Sequence, residues 1–248
     1  MFSDFSSQEI ILVLIIFIWT GFVRTGLGFG GAALGLPLML FISNKPLFWL
    51  PIIGIHLLFF TSLTLRSRIN DVNWTYLKSS LPLILPATII GVLGLLKLPN
   101  DWLVTFIYLI TLFYAILWSL NLNIKSSNQL VDKFLLITGG YIAGTSLTGA
   151  PLMVAVYMRN VSKEQLRNTL FVLWFILVSI KMMTFIILNV ELHIMTAITL
   201  LPVAAIGHFI GLKAHDVIIQ NEMHFKKITG LFLIIVSSVG LYSLHNTN

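Results

Sequence analysis

The sequence predicts an all-α polytopic membrane protein. It is built from two inverted repeats of about five hydrophobic segments each, with broken or short hairpin helices at the start of each repeat. Three observations carry this reading: composition, the number and spacing of apolar runs, and an echo between the halves. The 248 residues are 57% hydrophobic and 10% charged, with a mean hydropathy of +0.96. A soluble domain carries about 25% charged residues, so a water-facing surface cannot be made from this stock. The same composition excludes disordered, collagen-like and disulfide-scaffold chains. A membrane helix takes roughly 20 apolar residues, which leaves no room for a soluble domain, so residues 1–248 read as one transmembrane domain.

Ten apolar segments follow in order. The first, about 8–24, comes after Asp4 and Glu9 and not after a basic region, so it reads as a retained span and not a cleaved leader. Segments at about 28–43, 46–66, 77–97 and 102–121 complete repeat one, about 8–121. Repeat two, about 133–245, has segments at about 133–146, 147–159, 168–189, 192–212 and 226–245. The first two of these are too short to cross about 30 Å as ordinary helices, and their first-half counterparts are rich in glycine. If every segment reverses direction from an outside N-terminus, basic residues sort by side. Twelve fall in inside turns: Arg24, Arg66, Arg68, Lys78, Lys125, Lys133, Arg159, Lys163, Arg167, Lys213, Lys226 and Lys227. Only Lys45 and Lys97 fall outside. This positive-inside bias places both termini outside, and merging each short pair into a single span would put the Arg66/Arg68 and Arg159/Lys163/Arg167 clusters on opposite sides and destroy it. The formal charge of +6 is therefore a matter of membrane orientation, and no nucleic-acid partner is expected.

The halves echo each other. Gly21-Phe22-Val23 resembles Gly140-Tyr141-Ile142, Pro37-Leu38-Met39 resembles Pro151-Leu152-Met153, and Pro86 and Gly91 match Pro202 and Gly207 at one spacing. An odd number of segments per half turns the second copy upside down, and the basic turn at Arg66 and Arg68 has a counterpart near Asn189–His193 without Lys or Arg. Inverted repeats with interrupted helices are a transporter architecture, with sites near the midplane where the interruptions face each other.

Two glycine-rich interruptions are the candidate site. The first runs from Gly21 to Gly31. Non-helical backbone inside a membrane survives only if buried or lining a cavity, and the half-helix that follows offers free N–H groups and a dipole that favour an anion. Arg24, Thr25, Gly26, Gly28, Gly30 and Gly31 are the expected binding residues, Arg24 supplying a charge able to grip an oxyanion in a bidentate manner. The competing reading is small-residue helix packing with Arg24 snorkelling to headgroups. The second interruption offers Thr145, Ser146, Thr148, Gly149 and Pro151, whose hydroxyls could bond an oxyanion or merely satisfy their own backbone. His56, Lys181 and His208 fall inside segments and are candidates for proton coupling or the anion path. No carboxylate falls well within a segment, which argues against a cation-coupled site. The chain has no cysteine and no His-Glu-x-x-His helix, so no metal and no cofactor are expected. His215 and His224 read as part of a solvated turn.

The first interruption, closing on Gly35-Leu-Pro-Leu38, resembles the sulfite exporter TauE/SafE family of bacterial membrane transporters. So does the run Thr148 to Leu170, with Ala150-Pro151, Tyr157, Arg159 and Arg167-Asn-Thr169. The resemblance implies a multi-pass protein of the bacterial inner membrane, not an enzyme, that exports sulfite, an organosulfonate or a related small anion, coupled to protons, by alternating access. Its partners would be that anion and the lipid bilayer, with a homo-oligomer left open. A passive anion channel is the alternative, and an intramembrane hydrolase built on Ser146 and His208 a weaker one.

Overall fold

Capping and proline chemistry mark where the helices begin. In the computed structural model, which describes residues 5–28, 30–66, 68–122 and 124–246, Ser6 and Glu9 form a reciprocal capping box at the head of α1 (Ser7–Leu27). The Ser6 amide donates to Glu9 Oε2 at 2.7 Å. Asp4 and Phe29 lie outside the described residues. After α1 come α2 (Gly31–Ile42), α3 (Pro46–Leu65), α4 (Trp74–Lys97) and α5 (Asn100–Ser119). The second half gives α6 (Gln129–Ser146), α7 (Ala150–Asn160), α8 (Lys163–Ile187), α9 (Ile194–Gln220) and α10 (Glu222–Asn246). All ten predicted segments are helices.

Among the described residues, seven helices (α1, α3, α4, α5, α8, α9 and α10) are long and apolar enough to cross a membrane. The 12 residues of α2 and 11 of α7 span about 18 and 17 Å at 1.5 Å per residue, well short of about 30 Å. The sequence reading made both opening segments of the second half short. Instead α6 starts four residues earlier and has 18 residues, because Asn128 caps it and its first, polar turn is helical although not apolar. Its side chain accepts from the amides of Leu130 and Val131, each at 3.0 Å. The α9 helix continues eight residues past its expected end at 212, through the charged stretch that reads as a turn.

Two compact units emerge, and neither follows a sequence half. One contains α1, α2, the first turns of α3 as far as Ile52, α5, α9 and α10. The other contains the rest of α3 with α4, α6, α7 and α8. In the first, α1 packs along α9 and α10 along α5; in the second, α4 packs along α6. The first helix of each half thus pairs with the fourth helix of the other half.

Both pairings are made through glycine. An added Cβ on Gly21 would overlap the Ala204 carbonyl oxygen, and one on Gly207 the Ile18 oxygen. In the other unit, Gly144 meets the Thr88 oxygen and Gly91 the Tyr141 oxygen in the same way. The shift along the chain from Ile18 to Tyr141 equals that from Gly21 to Gly144. Likewise the shift from Thr88 to Ala204 equals that from Gly91 to Gly207. Packing therefore matches Gly21 with Gly144, one turn beyond the Gly140 suggested by the sequence echo, and keeps the Gly91–Gly207 match.

Candidate functional site

The first interruption is built by two left-handed glycines. The α1 helix ends at Leu27, Gly28 takes φ 79° and Gly30 φ 87°, and α2 begins at Gly31. Leu34 N to Gly30 O, at 2.9 Å, is the first bond of the new helix. The amides of Gly31, Ala32 and Ala33 stand before it in the first turn and have no intrahelical acceptor by position. Gly31 also approaches α1 closely: a Cβ there would sit 2.9 Å from the Arg24 Cβ and 3.0 Å from the Thr20 carbonyl oxygen. Arg24, in the last turn of α1, is only 7% exposed, so it does not snorkel to the surface of the chain. Val23, Leu27, Leu34, Trp118, Ile218 and Leu233 form the apolar core beside this turn.

Histidines from α9 are tied to the same turn. Thr25 Oγ1 lies 3.0 Å from the Gly21 carbonyl, to which it donates, and 2.7 Å from His208 Nδ1. A hydroxyl has one proton; with it given to Gly21, Thr25 accepts from a protonated Nδ1. Two turns on, His215 Nδ1 lies 2.7 Å from the Gly26 carbonyl oxygen. That oxygen can only accept, so Nδ1 carries the hydrogen. His215 is thus no part of a solvated turn. Residues at i and i+7 share a helix face, and between them Gly211 lets the Phe22 carbonyl come close, at 2.5 Å from its would-be Cβ.

The second interruption is made differently. Its left-handed residue is Leu147, at φ 60°, where a side chain costs roughly 1–2 kcal/mol relative to glycine. Gly149 packs so tightly against the Gly139 carbonyl that no Cβ would fit. Pro151 sits in the first turn of α7 and supplies no amide. The hydroxyls have acceptors within the protein: Thr145 donates to Tyr141 O at 2.9 Å, and Ser146 to Ile142 O at 3.1 Å. Thr148 and Ser146 share a 2.6 Å bond, in which Thr148 is the donor if Ser146 serves Ile142. All three residues are buried. This is the self-satisfying use of hydroxyls, with the Thr145 and Ser146 protons directed into backbone and that of Thr148 onto Ser146.

Lys181 joins this second cluster. It is 1% exposed, and its Nζ donates to the Gly144 carbonyl at 2.7 Å and the Thr145 carbonyl at 3.1 Å, 5.8 Å from the Phe185 ring centre. His56, on α3, is buried and stands edge-on to Phe60 at 6.3 Å. The site residues therefore sort by unit. Arg24, Thr25, Gly26, Gly28, Gly30, Gly31 and His208 share the first; Thr145, Ser146, Thr148, Gly149, Pro151, His56 and Lys181 belong to the second.

Two features were missed. One is His215, whose i+7 spacing from His208 was the available signal. The other clasps the open end of the α6–α7 hairpin. Asp132, 9% exposed, accepts from Arg159 Nη1 at 3.0 Å and from Asn160 Nδ2 at 3.4 Å, with Ser126 on its other oxygen. The conspicuous Tyr157 and Thr169 are stitched to α4 and to the residue that leads into it: Tyr157 shares a 2.6 Å bond with Ser80, and Thr169 accepts from the Asn73 amide at 2.9 Å.

Against known proteins, residues 13–239 match the family model described as "TauE: Sulfite exporter TauE/SafE". No curated protein and no solved structure matches the chain.

Proposed function

Because the chain belongs to the sulfite exporter TauE/SafE family of membrane transporters, we propose that it exports a small sulfur oxyanion or sulfonate by proton-coupled alternating access. The observation that carries the site is the first interruption. There, three first-turn amides of α2 follow three residues after an α1 turn that holds buried Arg24. Amides at a helix start and a guanidinium are the groups that recognise a tetrahedral or pyramidal oxyanion, and the glycines let an anion approach the backbone. Thr145, Ser146, Thr148, Gly149 and Pro151 shape the second interruption. His208, with Nδ1 committed to Thr25, takes a coupling proton at Nε2; His56 and Lys181 are the further candidates for the coupling or the anion path.

The repeats are read as inverted, supported by the equal chain shifts of the glycine contacts in the two units. Both termini are read as outside, in a bacterial inner membrane, with a homo-oligomer left open. The cysteine-free sequence makes orientation directly testable: Ser7→Cys is labelled from outside by a membrane-impermeant maleimide and Lys125→Cys is not. The opposite pattern overturns the assignment.

The functional test is flux through the purified protein in liposomes. Saturable sulfite, thiosulfate or sulfoacetate flux that a proton gradient drives uphill is expected. Non-saturating flux unaffected by the gradient would make the protein a passive channel, and peptide hydrolysis would revive the enzyme. Flux of none of these anions would remove the substrate assignment.

A further inference from the structure

Each interruption places the end of one helix beside the start of the next. Three residues, 28–30, separate α1 from α2, and three, 147–149, separate α6 from α7. A helix start carries a partial positive charge and a helix end an equal negative one, set by unpaired amides and carbonyls. A bare interruption therefore presents both signs, and in carriers its carbonyl end is where cations are coordinated. In this protein both carbonyl ends are occupied by a basic side chain from another helix. Lys181 of α8 donates to two last-turn oxygens of α6, those of Gly144 and Thr145, at 2.7 and 3.1 Å. His215 of α9 donates to a last-turn oxygen of α1, that of Gly26, at 2.7 Å.

We propose that Lys181 and His215 are positioning residues that cap the carbonyl ends of the two interrupted helices and so make the interruptions select anions. The inference rests on the anion-carrier reading and deepens it: in place of a direct contact with the anion, it gives Lys181, and His215 with it, a role one step removed from the substrate. With these three carbonyls engaged, the positive starts of α2 and α7 outweigh the negative helix ends, and the ends of α1 and α6 are held in place. The second cap is the stronger, because an amine reaches two oxygens where an imidazole reaches one. Both caps lie on the face their helix turns toward the interruption, and each belongs to the same unit as the end it serves.

The test uses the full-length protein in liposomes, sulfite as probe, and four variants with folded protein quantified by size exclusion. Lys181→Met and His215→Leu remove the donors; Lys181→Arg and His215→Gln keep them. Losing a cap raises KM for sulfite about tenfold, the scale of a favourably placed charge at a helix end, with kcat changed less than about threefold. The donor-keeping variants return KM to within about threefold of the parent. A purely structural role would lower folded yield and leave KM alone. Parental KM in both Lys181→Met and His215→Leu overturns the proposal, as does failure of both conservative variants to rescue. Hydrogen exchange separates this from the transport reading. If the parent moves no sulfite, the substrate assignment falls, yet Lys181→Met must still speed exchange of the 145–149 amides. Unchanged exchange there defeats the capping idea on its own. Should Lys181→Met fail to fold, His215→Leu, read at residues 27–31, decides the matter.

Discussion

The two interruptions occupy matching places in their units and are made from opposite materials. The first relies on backbone: two glycines at positive φ, three amides at a helix start and a buried arginine, with hydrogen bonds arriving from α9. The second relies on side chains: hydroxyls bonded inward, a leucine forced into the left-handed region, a proline that removes an amide, and an ion pair closing the far end of its hairpin. One is equipped to receive a ligand, while the other is largely satisfied by itself. Matching positions therefore need not mean matching roles. On this view the first interruption contacts the anion through its amides and Arg24, and the second bears on affinity only through the capped end of α6, its own hydroxyls taking no part.

The strongest way to break the comparison is at the point where the units are alike. Gly207→Leu and Gly91→Leu both drive a side chain into backbone of the partner helix, with no flexible neighbour to yield. Each should cost about 3 kcal/mol or more and abolish monodisperse protein on size exclusion. If one is tolerated, the two pairings are not equivalent. Next in size is the contrast in transport. Arg24→Ala should cut sulfite flux per folded molecule by about tenfold or more, since one charge-assisted bidentate contact is worth about 1.5–3 kcal/mol. Ser146→Ala and Thr148→Ala should change flux less than about threefold. Equal losses in all three would erase the proposed division of labour.

The hairpin clasp comes third. Asp132→Asn should lower thermal stability by about 1 kcal/mol, a value kept small because the Arg159 side chain is 37% exposed and solvent screens the pair. A double-mutant cycle with Arg159→Ala measures the coupling; additive effects would mean that the pair contributes nothing of its own. The smallest effect is also the most diagnostic. Leu147→Gly should stabilise by about 0.5–1 kcal/mol through relief of its left-handed backbone, less the packing of its half-buried side chain, whereas Gly30→Ala should destabilise by a similar amount. A thermal melt of each reads the sign.

Much of the architecture was legible because bilayer helices are written as apolar runs. The ends of α1, α3, α4 and α5 were placed within a few residues for that reason. Polar helical turns were not legible that way: Gln129 to Asp132 belong to α6, and Lys213 to Gln220 to α9. The second omission hid His215. The interruptions were visible as glycine clusters, yet their inner bonding was not. Whether Thr145 donates to a ligand or to Tyr141 is decided by a carbonyl one turn away, not by composition. The pairing of α1 with α9 and α4 with α6 was least legible, since the glycines that permit it lie far apart in sequence and any small residue in an apolar run looks much the same.

That pairing bears on how the protein is made. The glycine face of α1 finds its partner only when α9 has left the ribosome, nearly the whole chain later. At roughly 10 residues per second, the first helix waits in the bilayer for about 20 seconds with Gly21 and Gly26 turned toward lipid or a chaperone. The unit holding α4, α6, α7 and α8 is complete by residue 192 and can assemble first. A chain cut short before α9 would therefore hold one finished unit together with an α1–α2 hairpin and an α5 helix that lack their partners, and those exposed helices are what membrane quality control would have to recognise.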